Sequence, residues 1–194
     1  CWAKEAGCDY VIAETFGYLG EAKVALDVIK SFELPAVITL AIHQDDKTRD
    51  GFSLEDAMLE LERCGADVVG LNCYRGPDTM LPLLERIVRV VKIPVAALPV
   101  PYRTTETEPT FMSLTDSKLP KCTVNDRPFP TALDAHTCSR YEIIEFTQKA
   151  MKLGIKYIGL CCGAGPHHLR SMAETLGRKT IASKYSPDMS KHFA

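Results

Sequence analysis

Neither sign of charge dominates this sequence. Lys and Arg number 23 against 25 Asp and Glu, a formal net charge of −2 over 194 residues. That balance excludes a strongly basic nucleic-acid binder and an acidic disordered tail. Long apolar runs are missing too, since none reaches the ~18 residues of a membrane span. No charged-then-apolar leader opens the chain, and the first residue is Cys1 rather than Met. The expectation is a soluble, cytoplasmic protein with neither nucleic acid nor membrane as partner, cut from a longer chain. Two familiar signatures are also lacking: a glycine fingerprint after a strand-like run and the paired CxxC of a structural zinc module. At 46% hydrophobic and 25% charged residues, what remains is an ordinary globular composition able to bury a core.

What the chain does contain is a repeated alternation. Tyr10–Ala13 is a short apolar run ending at Glu14 and Thr15, followed by helical spacing at Ala22, Ala25, Leu26 and Ile29. The β-branched run 36–42 predicts a second strand. Ser53, with an acid three residues on at Asp56, predicts a helix start, and Gly65 its stop. The cycle recurs with strand 67–73 and helix 81–92, then with strand 94–99. An irregular Thr- and Pro-rich stretch of about 101–130 follows, and a loop of that length is more often functional than idle. Ser139 opens a helix reaching Leu153, 157–162 is the last strand, 166–176 the last helix, and about 18 residues form a tail. Strands apolar on both faces that alternate with helices mean a parallel sheet. An open doubly wound sheet and a β/α barrel both fit, and both place active sites at the C-terminal ends of strands. A barrel needs eight strands, so three units would be missing on the N-terminal side.

Glu14, Asn72-Cys73 and Cys161-Cys162 all fall at such ends. Neighbouring side chains on a strand point to opposite faces. Cys161 and Cys162 can therefore share one ion only if the chain turns between them, and Gly163, Gly165 and Pro166 supply turn chemistry. Three thiolates at a strand-end rim would make an open zinc site, ready for a fourth sulfur from a substrate. Such a site suits alkyl transfer to sulfur. The residues alone leave a second reading open, in which each cysteine is a small buried hydrophobe. The other five cysteines (1, 8, 64, 122 and 138) are dispersed. Glu14 could hold a substrate ammonium or stand in solvent. His167 and His168 read as cap or packing residues. Thr104, Thr105 and Thr107 lack a phosphate-binding pattern, and Asp45-Asp46 lack calcium-loop spacing. A metal-free lyase or aldolase would need a lysine on a strand end, whereas Lys92 and Lys156 precede strands.

The runs Gly70-Leu71-Asn72-Cys73 and Gly159-Leu160-Cys161-Cys162-Gly163, followed by Pro166 and His168, resemble the homocysteine S-methyltransferase family. Within it the sequence looks most like the betaine–homocysteine enzymes. Ile12-Ala13-Glu14-Thr15-Phe16, Ala132-Leu133 and residues 154–159 match in order and spacing, so the resemblance covers nearly all of residues 1–194. It implies an α/β fold, the C-terminal part (about five β/α units) of a (β/α)8 TIM barrel whose N-terminal units are absent from this chain. It also implies one Zn2+ held by Cys73, Cys161 and Cys162, with Glu14 binding the homocysteine amino group. The implied reaction is methyl transfer from a betaine-like or sulfonium donor to homocysteine sulfur, giving methionine, in a full-length protein that is a homo-oligomer. In the betaine enzyme an aromatic residue follows the glutamate. Here that position is Thr15, which weakens a cation–π cage for a quaternary ammonium and makes a sulfonium donor plausible. A non-catalytic fragment of such an enzyme is the alternative.

Overall fold

The computed structural model describes residues 2–116 and 127–185. A helical turn α1 (Trp2–Glu5) precedes five strands: β1 (Val11–Phe16), β2 (Ala36–Leu40), β3 (Val68–Asn72), β4 (Val95–Leu98) and β5 (Tyr157–Ile158). Each is followed by a helix: α2 (Leu19–Ser31), α3 (Leu54–Arg63), α4 (Pro77–Val90), α5 (Arg140–Lys152) and α6 (Pro166–Thr175). The strands form one parallel sheet in the order β1-β2-β3-β4-β5. A doubly wound sheet reverses its order at a switch point, and this one does not. Right-handed crossovers between sequential neighbours put every helix on the same face, which is the arrangement of a barrel wall.

The alternation of side chains bears this out. Ile38, Leu40, Val69, Leu71, Val95 and Ala97 pack into one core with Leu26, Met58, Leu84 and Phe146 from the helices. The opposite face carries Tyr10, Ile12 and Glu14, then Thr39, Asn72, Leu98 and Tyr157 in turn across the sheet. That face is curled. In a flat sheet β1 and β5 would stand roughly 19 Å apart, four strand spacings of ~4.8 Å. Yet the Tyr157 phenol is pushed up by burial, by the Tyr10 hydroxyl beside it and by the Glu14 charge. The two edge strands therefore face each other across a concave inner surface.

Local signals set most boundaries. The Ser53 hydroxyl accepts the Asp56 N–H at 3.1 Å to start α3, and Ser139 with Glu142 makes a capping box for α5. Two boundaries differ from expectation by four residues, the rest by one or two. α4 starts at Pro77 rather than Leu81, because a first-turn proline needs no N–H partner. β5 stops at Ile158 rather than running to Cys162. Its chain still follows its neighbour, through Gly159 N–H to the Ala97 carbonyl and Cys161 N–H to the Pro99 carbonyl. Pro99 and Pro101 have no N–H to return, so the ladder lapses.

Of the expected tail, Ile181–Tyr185 form a 3-10 turn. Residues 186–194, the 117–126 part of the expected irregular stretch, Cys1 and Cys122 lie outside the described residues. Among the described residues no helix is long and apolar enough to cross a membrane.

Candidate metal centre

Cys73 follows β3 on a turn of unusual backbone. Cys73 and Tyr74 both have positive φ, 58° and 52°. Left-handed backbone at a non-glycine residue costs about 1–3 kcal/mol and persists only where its surroundings hold it. Here Arg75 does much of the holding. Its side chain is 7% exposed. The guanidinium donates to the carbonyls of Ile42, His43, Gln44 and Thr79 and to Asp46 Oδ1. Asp46 in turn pairs with Arg86, which grips Glu55 on α3. The Cys73 N–H donates to the Leu98 carbonyl at 3.0 Å, and the Phe111 N–H to the Tyr74 carbonyl at 2.8 Å.

Cys161 and Cys162 reach the same place by another route. The chain leaves the sheet at Cys161 and turns at Gly163, whose φ is +86°. A Cβ on Gly163 would fall 2.2 Å from the Tyr102 hydroxyl, so only glycine fits beneath that ring. His168, 1% exposed, secures the far side. Its Nδ1 accepts the Gly165 N–H at 3.1 Å and its Nε2 meets the Cys138 carbonyl at 2.8 Å. Those partners require the neutral tautomer with the proton on Nε2. His168 is thus a cap, and both its ring nitrogens are engaged away from the cysteines.

The three sulfurs converge. Cys73 Sγ lies 3.7 Å from Cys162 Sγ and Cys161 Sγ 3.9 Å from it, and all three fall within 4.8 Å of one another. Three thiolates bound at ~2.3 Å on a tetrahedral ion stand roughly 3.8 Å apart, so the donor set matches zinc in both type and spacing. The charge is unevenly shared. The Cys161 thiol is pulled down to about 6, chiefly by the Cys73 thiol donating to it. Burial opposes that, while the Cys162 backbone N–H and the Asn72 amide assist. Cys73 is pushed far up, first as that donor and then by burial. One thiolate forms readily, and further negative charge there calls for a cation.

Glu14 lies outside this cluster of ligand atoms, exposed on the concave face of β1. Thr15 next to it also has positive φ, 68°. The Thr15 N–H donates to Asn72 Oδ1 at 2.8 Å, and Asn72 Nδ2 donates to Thr15 Oγ1 at 2.6 Å. Arg75 and Tyr102 carry no sequence signal, whereas Asn72, a polar residue closing an apolar strand beside Cys73, does. Tyr102 stacks on Phe111 at 5.7 Å, and Phe111 meets Phe129 edge-on at 5.2 Å. The Tyr102 phenol is raised by burial and by the charges of Asp134 and Cys162. Thr104 is structural: it accepts the Gly76 N–H and contacts Thr79. Lys92 and Lys156 sit before β4 and β5, at the rim opposite the cysteines.

Comparison with known proteins agrees with this geometry. Residues 2–176 match the family model described as homocysteine S-methyltransferase. A betaine–homocysteine S-methyltransferase from Danio rerio is 34% identical over 172 residues, covering 87% of this chain and 40% of that protein. An S-methylmethionine–homocysteine S-methyltransferase from Pongo abelii is 28% identical over 174 residues, covering 87% and 44%. The chain thus spans less than half the length of these relatives. In structure it resembles the metallated form of the homocysteine methyltransferase MmuM from Escherichia coli. The TM-score is 0.61 at 14% identity, over 89% of this chain and 46% of that one. With a family model matched from end to end of its five β/α units, the chain belongs to the homocysteine S-methyltransferase family.

Proposed function

We propose that this chain carries the metal centre and the amino-group anchor of a zinc-dependent homocysteine S-methyltransferase. Cys73, Cys161 and Cys162 are the ligands. The spacing of the three sulfurs, 3.7 and 3.9 Å along two of their sides, carries this reading. A free thiol has a pKa near 8.5, and bound zinc supplies the chemistry of holding the substrate thiol as thiolate at neutral pH. The protein's residues bind and orient. Glu14 takes the homocysteine ammonium in a charge-assisted hydrogen bond. Asn72 offers an amide N–H to Cys161 Sγ at 3.8 Å. The buried cluster of Val100, Phe111 and Leu114, with Tyr102 and Phe129 against it, keeps water from one side of the sulfurs.

In the reaction the homocysteine sulfur lone pair forms the new S–CH3 bond. The donor's bond to that methyl breaks, and its electron pair leaves with the donor, which departs neutral as a thioether or tertiary amine. The product is methionine. Among cationic donors this reading favours a sulfonium over glycine betaine. Thr15 offers no ring face to a quaternary ammonium, and its hydroxyl is committed to Asn72.

Metal analysis of the purified protein and of Cys162→Ala tests the centre. The expected result is one zinc per chain in the parent and loss of both zinc and methyl transfer in the variant. Stoichiometric zinc with full turnover in Cys162→Ala overturns the assignment. A donor panel with S-methylmethionine and glycine betaine tests the second part: faster turnover with betaine reverses the preference.

A further inference from the structure

Asn72 is 1% exposed and spends its whole hydrogen-bonding capacity on two strands and the Cys161 turn at once. An amide can accept two bonds and donate two. Asn72 Oδ1 accepts from the Thr15 N–H and from the Thr39 hydroxyl, both at 2.8 Å. Its Nδ2 donates to Thr15 Oγ1 at 2.6 Å and faces Cys161 Sγ at 3.8 Å. No other side chain of this size can do all four. Aspartate lacks the donors, and leucine lacks everything.

Thr15 is the notable partner. It is β-branched, its φ is +68°, and β1 slips register between Ala13 and Phe16, the interval that contains Glu14. A β-branched residue rarely holds that backbone unaided. Asn72 grips it by main chain and side chain together, so the course of the chain through Glu14 and Thr15 is set from β3. The same amide touches the sulfur centre.

We infer that Asn72 is a positioning residue that sets the span between Glu14 and the sulfurs, and thereby the length of amino thiol the protein accepts. This rests on the reading of Glu14 and the three cysteines given above. Homocysteine is gripped at both ends, ammonium and thiol, and a substrate so held is sensitive to small errors in span. Cysteine is one methylene shorter and cannot reach both grips. Loosening β1 from β3 lets the span vary, and the preference for the longer thiol falls.

The test uses zinc-loaded protein with S-methylmethionine as donor and either homocysteine or cysteine as acceptor. Parent, Asn72→Ala, Thr15→Gly and the double variant are compared by zinc content, kcat and KM. In Asn72→Ala, loaded with zinc to the parent's level, the homocysteine KM rises about tenfold and kcat changes less than about threefold. The preference for homocysteine over cysteine falls about tenfold, within what one methylene can contribute. Thr15→Gly in the double variant recovers part of the KM loss, because glycine takes the left-handed backbone without a partner. Unchanged KM and preference overturn the inference, as does an equal loss for both acceptors with no recovery by glycine. Should Asn72→Ala not fold, the exposed Thr15→Ala removes one of the same bonds. It must raise the homocysteine KM about threefold, and an unchanged KM is again fatal. A parent protein without zinc or methyl transfer instead defeats the underlying reading, so the two failures are distinguishable.

Discussion

The two turns that bring the sulfurs together are built on opposite principles. The Cys73 turn is made of side-chain-bearing residues in a costly backbone, clamped by a buried cation. The Cys161–Cys162 turn uses glycine where the backbone demands it and neutral hydrogen bonds from His168. The first stores strain and depends on charge, whereas the second avoids strain and depends on space. A centre with one stiff arm and one fitted arm can be broken in either way, and each way leaves a different residue of function.

Arg75→Met breaks the stiff arm and has the largest expected effect. It strands the carbonyls of Ile42, His43 and Gln44 and leaves Asp46 with Arg86 as its remaining arginine. Each acceptor left unpaired away from water costs about 1–3 kcal/mol, to be read as a fall in denaturation midpoint. Zinc retention should fall with it. Gly163→Ala attacks the fitted arm, combining φ of +86° with a clash on Tyr102. Its expected cost is about 3 kcal/mol, and Gly163→Ala with Tyr102→Phe should recover part of that in a double-mutant cycle.

His168→Ala is smaller. It leaves the Gly165 N–H and Cys138 carbonyl unpaired, at about 2 kcal/mol, measured by the same denaturation.

Glu142→Gln sharpens the contrast with an exposed pair. Arg103, with Ser139, holds the Glu142 carboxyl at about 2, below its ordinary 4.5. Between those values the unfolded chain binds the extra proton, so this stabilisation is complete above pH 4.5 and lost as pH falls toward 2. Screening in solvent limits it to about 1 kcal/mol or less. The variant should flatten the acid limb of a stability–pH curve without touching the metal centre.

The contrast also explains what sequence could and could not reveal. Ser53, Ser139, Gly65 and Gly154 announce helix ends because caps and stops are local chemistry. Cys73 is legible at a strand end, and Cys161-Cys162 just beyond one, because strands are apolar runs with visible limits. The order of the sheet is a relation among strands that no residue carries: right-handed crossovers serve an open doubly wound sheet and a barrel alike, so the alternation leaves both open until the strands are placed. Arg75 is illegible: one cation after a strand looks like any surface arginine until its five acceptors, drawn from two segments, are brought to it. Asn72 gives half a signal, a polar side chain where only apolar ones belong. The early end of β5 follows from prolines just past the neighbouring strand, a relation between segments that no single run contains.

The Arg75–Asp46–Arg86–Glu55 chain has one more consequence. It pins the segment after β2 to the cysteine turn on one side and to α3 and α4 on the other. A hinge there would have to tear several ionic contacts at once, so that segment is a fixed rim rather than a moving door.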